Sequence, residues 1–420
     1  MNLKHLRKSE RRIETIDVLR GFALAGILYA HMIIWYTGAA LPANVYFKYD
    51  STIDNLAMAI FGAFVFGKFF SVFSFLFGLS FHLHFRNRSV KPSFNKIYLW
   101  RLLLLFMIGI VHHVIWRGDI LAIYAVLGAV LMFFRRLPLR LILTLSLLLI
   151  LNFPTHLYEL LKTETITAAV DFPMEEAATK YYDLVQNGGF LSVVIDNWQS
   201  WPNKFSYQLE SGRLLMTFGY FLLGLYAGRA NLFTSIEKNF SKMLKWKKFT
   251  EKATLFLLLI GLIMLVNDIV TIPRIEIIPK FKWLANFLFS IYNACLTVFF
   301  ITLITILFRK PFFYSILKPL AAMGRMALTN YLLQTVVGLL LFYEFGLNLF
   351  DRTSPAVNVL LAIGVLVLQL NFSKWWLTHY KQGPVEWLWK SLTYFRFNPN
   401  RKRKEASAVV GNRQETFEEA

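Results

Sequence analysis
Charge is scarce in this chain and cysteine almost absent. Only 17% of the residues are Asp, Glu, Lys or Arg, against roughly a quarter in a soluble chain. The lone cysteine, Cys295, excludes an internal disulfide. A structural zinc site needs about four ligands, so Cys295 reads as a buried, inert thiol. His82 and His84 lack further ligands close by, and no metal is expected. The chain has no P-loop, no G-x-G-x-x-G and no H-E-x-x-H, so three common phosphate and metal chemistries have no footing. Glycine and proline, 22 and 13 of 420 residues, are too few for a collagen-like chain and too few for a disordered one.

What the chain has instead is apolar length. Apolar residues make up 56%, and they gather into runs at 16–37, 68–85, 98–116, 119–134, 139–153, 214–228, 253–272, 284–308, 325–345 and 356–372. Runs of this kind suit a bilayer rather than an aqueous core. Segment 55–66 is apolar enough to extend the second run or to lie in the interface before it. The first run follows a basic start, yet it is longer than a signal-peptide core and no small-x-small site follows it. It reads as a retained first span.

The formal net charge is +20. Nucleic acid is not the partner this implies, because the positives sit in short clusters beside the apolar runs. They read as topology signal and as contact with anionic membrane lipids. Lys4 to Arg12, Arg86 to Lys96, Arg135 to Arg140, Lys238 to Lys252, Arg309 to Lys318 and Arg401 to Lys404 all fall on one side if the spans alternate from an inside N-terminus. The expected fold is all-α: a polytopic integral membrane protein of about ten transmembrane helices plus a C-terminal interfacial helix. The expected location is the bacterial cytoplasmic membrane, with both termini cytoplasmic.

The domain reading follows. Residues 1–15 form a basic cytoplasmic start, 16–397 a single transmembrane domain, and 398–420 a disordered cytoplasmic tail. The extracytoplasmic loop 154–212, between spans five and six, mixes carboxylates with Trp198, Trp201, Tyr181 and Tyr182. It is either a cap that contacts a polar acceptor or an interfacial helix pair. Segment 382–396, with Trp387, Trp389, Lys390 and Tyr394, reads as the interfacial helix. No internal repeat is visible, and a homodimer is left open.

Polar side chains at membrane depth are costly, so chemistry is sought among them. Asp17 and Arg20, three apart, form either an interfacial ion pair or a site where Arg20 faces a cytosolic anion. His31 shares the Arg20 face about 16 Å further along the helix. It is either a packing residue or a base. His112 and His113 point about 100° apart, so only one easily faces a given cavity. Arg117 and Asp119 either clamp each other across Gly118, or Asp119 orients a histidine base. Thr329, Asn330 and Gln334 share a polar helix face that joins helices by hydrogen bonds or lines a site. Gly324-Arg325, at an expected helix start, can bind an anion through free amides and the guanidinium.

Arg12-Ile-Glu-Thr-Ile-Asp17-Val-Leu-Arg20-Gly21-Phe-Ala-Leu-Ala-Gly26 resembles the opening of the DUF418, or YeiB-like, bacterial membrane proteins. Lys68-Phe-Phe-Ser71-Val-Phe-Ser74-Phe-Leu-Phe77-Gly78, Arg117-Gly118-Asp119, Gly324-Arg325 through Gln334 and Gly383-Pro384-Val-Glu386-Trp387 carry the likeness through the chain. The opening motif is also similar to that of transmembrane acyltransferases, including heparan-glucosaminide N-acetyltransferases and the acyltransferase-3 group. That resemblance implies transfer of an acyl group from cytosolic acyl-CoA to a hydroxyl or amine acceptor across the bilayer. Arg20 and Arg325 would bind the donor. His31, or His112 or His113, would be the base, with Asp119 orienting it. Arg117, Asn330, Tyr331 and Gln334 would hold the acceptor or polarise the acyl carbonyl. Many DUF418 relatives have Asn where His31 stands, which favours His112 or His113. The rival is a transporter or exporter of a lipid or small polar solute, with the same residues along its path.

Overall fold
The computed structural model describes residues 13–46, 48–86, 93–161, 171–270 and 279–402. Its apolar runs form helices because a helix satisfies every backbone amide within one segment. Helix α1 (Glu14–Met32) is followed by a short α2 (Ala43–Tyr46). Next come α3 (Thr52–Ile60), a π-helical turn Phe61–Val65 and α4 (Phe69–Arg86). Together they make one apolar stretch over 52–86, so segment 55–66 extends the second span. Ser51 starts it by accepting the Asp54 amide at 3.3 Å and donating to the Asp54 carboxylate at 2.5 Å.

Helices α5 (Ser93–Ile115), α6 (Leu121–Phe134) and α7 (Leu139–Ile150) then run back and forth. The expected outer loop is itself helical: α8 (Phe153–Leu161), α9 (Asp171–Asn187), α10 (Phe190–Gln199) and α11 (Trp201–Glu210). The second half holds α12 (Arg213–Arg229), α13 (Ile236–Val270), α14 (Pro279–Leu307), α15 (Pro311–Arg325), α16 (Ala327–Phe342), α17 (Pro355–His379) and α18 (Pro384–Tyr394). Prolines open α15, α17 and α18, where a missing N–H costs nothing and a fixed φ helps.

Among the described residues four helical stretches are long and apolar enough to cross a bilayer, and a fifth if α15 and α16 count as one bent span. This fits an integral membrane protein. Leu360, Ile363, Val367 and Leu368 are exposed along one side of α17, an apolar face that water would not tolerate at this extent.

Three expectations change. The first span stops early: α1 ends at Met32, and the chain turns with Trp35 and Tyr36 in the left-handed region at φ 53° and 56°. The expected ninth span forms as α16, starting at Ala327 rather than Arg325, and it meets the preceding α15 at 87° about Met326. The tail is not free from residue 398, because the Lys381 amide donates to the Asn400 carbonyl at 2.9 Å and the Lys402 amide to the His379 carbonyl at 2.8 Å. Residues 403–420 and 1–12 lie outside the described residues. Cys295 is only partly buried.

Two close crossings organise the bundle. At Gly78 helix α4 meets α12 so tightly that a Cβ would overlap the Phe221 carbonyl oxygen. At Gly324 helix α15 meets α1, where a Cβ would overlap the Asp17 carbonyl oxygen. Backbone contact of this kind replaces the hydrophobic drive that lipid does not supply.

Candidate active site
A cavity of about 590 Å³ opens among α1, α4, α5, α16 and α18. At the end where α1 begins and α18 lies, its wall carries Arg20, Arg101, Arg325 and Lys390 against one carboxylate, Glu386. Further in, the lining is apolar, with Phe73, Leu105 and Leu121, and it reaches Tyr124 and Tyr331. Arg20 donates to Asp17 at 2.8 Å and to the Ser80 hydroxyl at 2.6 Å. The ion pair read from their spacing is therefore present, on the cavity wall. Arg101 stacks 4.0 Å from the Trp389 ring centre, and the Trp389 indole donates to the Arg101 carbonyl at 3.0 Å. These contacts hold α18 on α5.

Beyond Tyr331 lies a buried polar node. His112 Nδ1 is 2.8 Å from Asp119 Oδ1, and His112 Nε2 is 2.8 Å from the Thr335 hydroxyl. Asp119 also accepts the amides of Leu121 at 3.0 Å and Ala122 at 3.1 Å. One carboxylate thus starts α6 and orients the imidazole. With Nδ1–H donated to Asp119, Nε2 bears the lone pair and accepts the Thr335 hydroxyl proton. The Tyr331 ring centre is 5.0 Å from that of His112, and its hydroxyl oxygen accepts from the Ile120 amide. Tyr331 therefore stands between the cavity and the node. His31 is not hydrogen-bonded into it. Its ring packs edge-on to Trp116 at 4.8 Å, and His112 meets the same indole at 5.8 Å.

The second histidine is turned to a different task. His113 Nε2 lies 3.0 Å from the Asn197 carbonyl, and Nδ1 lies 3.0 Å from Lys204 Nζ. Its ring stacks against Trp201 at 4.1 Å. Helices α10 and α11 are thereby latched to the end of α5. Lys204 also donates to the Asp119 carbonyl at 2.6 Å. Burial pulls its ammonium down to about 8, against the opposing pull of Asp119.

Arg117 does not clamp Asp119. Its guanidinium pairs with Asp196, donates to Asn197 Oδ1 at 3.0 Å and stacks on Tyr181 at 3.7 Å. Helix α10 thus supplies a carboxylate that the short Arg117–Asp119 turn cannot present, since Asp119 is buried beneath it.

The polar face of α16 divides. Asn330 Nδ2 donates to the Met323 and Met326 carbonyls and to Ser373 Oγ at 2.9 Å. Gln334 donates to Gln369 at 3.0 Å and to the Leu24 carbonyl at 3.3 Å. These amides join α16 to α17 and α1, away from the cavity lining. Nor does Arg325 open a helix. It ends α15, and Glu386 accepts the α16 amides of Leu328 at 2.7 Å and Thr329 at 3.1 Å, with the Thr329 hydroxyl at 2.5 Å. An anion site built on free amides there is excluded, because a carboxylate already fills it. Arg325 keeps its place on the cavity wall.

Of the expected residues, the fold brings Arg20, Arg325 and Tyr331 to one cavity and sets His112 and Asp119 behind it. It sends Arg117 and His113 to the loop contact and Asn330 and Gln334 to helix joining. Thr335, Arg101 and Lys204 go unread in the sequence. A basic residue inside an apolar run, Arg101, was the one available signal among them.

A family model described as "Protein of unknown function (DUF418)" matches residues 227–396. "Uncharacterized protein YxaH" of Bacillus subtilis (strain 168) is 30% identical over 417 residues, covering 94% of this chain and 97% of that protein. "Uncharacterized 39.9 kDa protein in amylase 3'region" of Bacillus acidopullulyticus is 26% identical over 410 residues, with 94% and 98% covered. "Uncharacterized protein YeiB" of Escherichia coli (strain K12) is 47% identical over 81 residues, 19% of this chain and 20% of that protein. No solved structure matches the chain.

Proposed function
We propose that this chain, which belongs to the DUF418 family, is a membrane-embedded acyltransferase moving an acyl group from cytosolic acyl-CoA to a hydroxyl or amine on the outer side. In this reading it sits in the bacterial cytoplasmic membrane and crosses it about ten times, with both termini cytoplasmic. Shorter helices such as α6, α7 and α12 complete the spans.

One observation carries the reading. A cavity with a cationic mouth and an apolar interior ends at Tyr331, whose ring touches an imidazole held by a buried carboxylate. Phosphates suit the mouth, where Arg20, Arg101, Arg325 and Lys390 outnumber Glu386. A thin acyl and pantetheine chain suits the interior. His112 Nε2 takes the proton of the acceptor hydroxyl or amine as that atom attacks the thioester carbonyl. The new C–O or C–N bond forms, the C–S bond breaks, and the proton passes from His112 to the departing thiolate. Asp119 stabilises the imidazolium between these steps.

The test is thermal stability of the detergent-purified protein with acetyl-CoA and longer acyl-CoAs, because a ligand bound only by the folded state raises the melting temperature. A rise that disappears in Arg20→Ala and Arg325→Ala supports the reading. No rise with any acyl-CoA, in protein shown to be folded, overturns it.

The break at Met326 favours a second reading, since discontinuous helices are common at transporter sites. In transporters their free ends meet the substrate, whereas here Glu386 occupies the α16 start. Flux of a solute without acyl product would favour transport.

A further inference from the structure
A second cavity, of about 670 Å³, opens among α1, α15 and α17 and shares Arg325 with the first. Its wall carries Lys318, Arg325 and Lys374 against Glu14 and Asp17. Asp17 is already paired with Arg20 at 2.8 Å, which leaves the groove cationic. Among the described residues neither Lys318 nor Lys374 is held in an ion pair, and Lys318 lies over the Tyr314 ring at 5.2 Å. The hydroxyls of Ser315 and Thr378, also on the wall, donate to carbonyls of their own helices, Phe312 at 2.9 Å and Trp375 at 2.6 Å. The two ammonium groups are therefore open to a ligand. Around them the surface is apolar, with Phe312, Ile316 and Trp375 all exposed. On α17 the exposed residues Leu360, Ile363, Val367, Asn371, Lys374 and Thr378 follow at intervals of three and four, so they form one stripe. That stripe is apolar along its length and turns polar where it enters the groove.

We propose that this groove seats an anionic phospholipid, its phosphate on Lys318 and Lys374 and an acyl chain along the α17 stripe. Charge complementarity selects the headgroup, since a basic pocket between helices at the membrane surface attracts lipid phosphate. Continuity with the apolar stripe selects a lipid over a free phosphate, which would leave that stripe unused. Trp375 stands at the junction of the two, the level where an indole suits both apolar chain and wet headgroup.

The experiment titrates phosphatidylglycerol into the full chain in neutral detergent and follows the melting temperature, with phosphatidylcholine as the zwitterionic control. Phosphatidylglycerol should stabilise the protein where phosphatidylcholine does not. Replacing both lysines, Lys318→Gln with Lys374→Gln, should raise the half-effect concentration at least about tenfold. Lys318→Arg with Lys374→Arg should keep most of the response. Lys245→Gln with Lys248→Gln removes the same charge from exposed positions on α13 and should leave the response unchanged. If the paired glutamine variant does not fold, the two single variants carry the test, each shifting the midpoint about fivefold. No response to phosphatidylglycerol, an equal response to phosphatidylcholine, or an equal loss in the α13 pair overturns the site. Coenzyme A is titrated in parallel. If it, rather than phosphatidylglycerol, loses its effect in the lysine variants, the groove holds a soluble phosphate ligand and the lipid assignment fails. Every variant keeps Arg325, so failure of this site and failure of the acyltransferase reading stay distinguishable.

Discussion

His112 and His113 are neighbours in the chain whose side chains serve different structures. The ring of His112 is held by Asp119 and Thr335 inside the bundle, while the ring of His113 is held by Asn197 of α10 and Lys204 of α11. Successive positions on a helix point about 100° apart, and here that angle separates the candidate base from the latch.

The two histidines should therefore fail differently. His112→Asn is expected to lower acyl transfer about 10²–10⁴-fold while leaving stabilisation by acetyl-CoA in place. His113→Asn should lower the melting temperature and loosen α10 and α11, seen as faster proteolysis near Asn197. Activity per folded molecule should change much less. Equal losses of activity in both variants would remove His112 from its role.

Glu386 ties α18 to the start of α16 through the Leu328 and Thr329 amides. Removing a cap that also satisfies buried donors costs about 1–3 kcal/mol. Glu386→Ala is expected to lower the melting temperature clearly, and Glu386→Gln less, because both amides share one Glu386 oxygen that the Gln carbonyl replaces, and only the oxygen taking the Thr329 hydroxyl is lost. A Glu386→Ala protein as stable as wild type would show that the two amides find other partners.

The glycine crossings give a packing test. Gly324→Ala forces a methyl into the Asp17 backbone and should cost about 1–3 kcal/mol or more. Gly364→Ala, where a Cβ meets nothing, should be neutral or slightly stabilising, as Ala is the better helix former. Size-exclusion recovery after graded heating reads both.

Lys204 predicts a pH dependence. Burial holds its folded value at about 8, below the ordinary lysine value of 10.5. Between those values the unfolded chain binds more protons than the folded one, so stability from this group rises as pH rises. The melting temperature of wild type minus that of Lys204→Met should increase from pH 7.5 to pH 10. A flat difference across that range would mean the ammonium is not held down by burial.

Much of the architecture was legible in one dimension. Apolar runs mark helices wherever the backbone must satisfy itself, so all-α structure, a C-terminal helix at 384–394 and the Asp17–Arg20 pair follow from local spacing. Asp119 orienting a neighbouring histidine was legible for the same reason, since only seven positions separate it from His112. What the tertiary structure alone decided was which polar group answers which. Thr335 lies 223 positions from His112, Asp196 lies 79 from Arg117, and Glu386 lies 57 from Thr329. A buried donor or charge must find a partner, but spacing cannot name one that packing delivers from another helix. The break at Met326 belongs to the same class. It converts an expected helix start at Arg325 into a helix end, because Glu386 satisfies the α16 amides and lets the chain turn there.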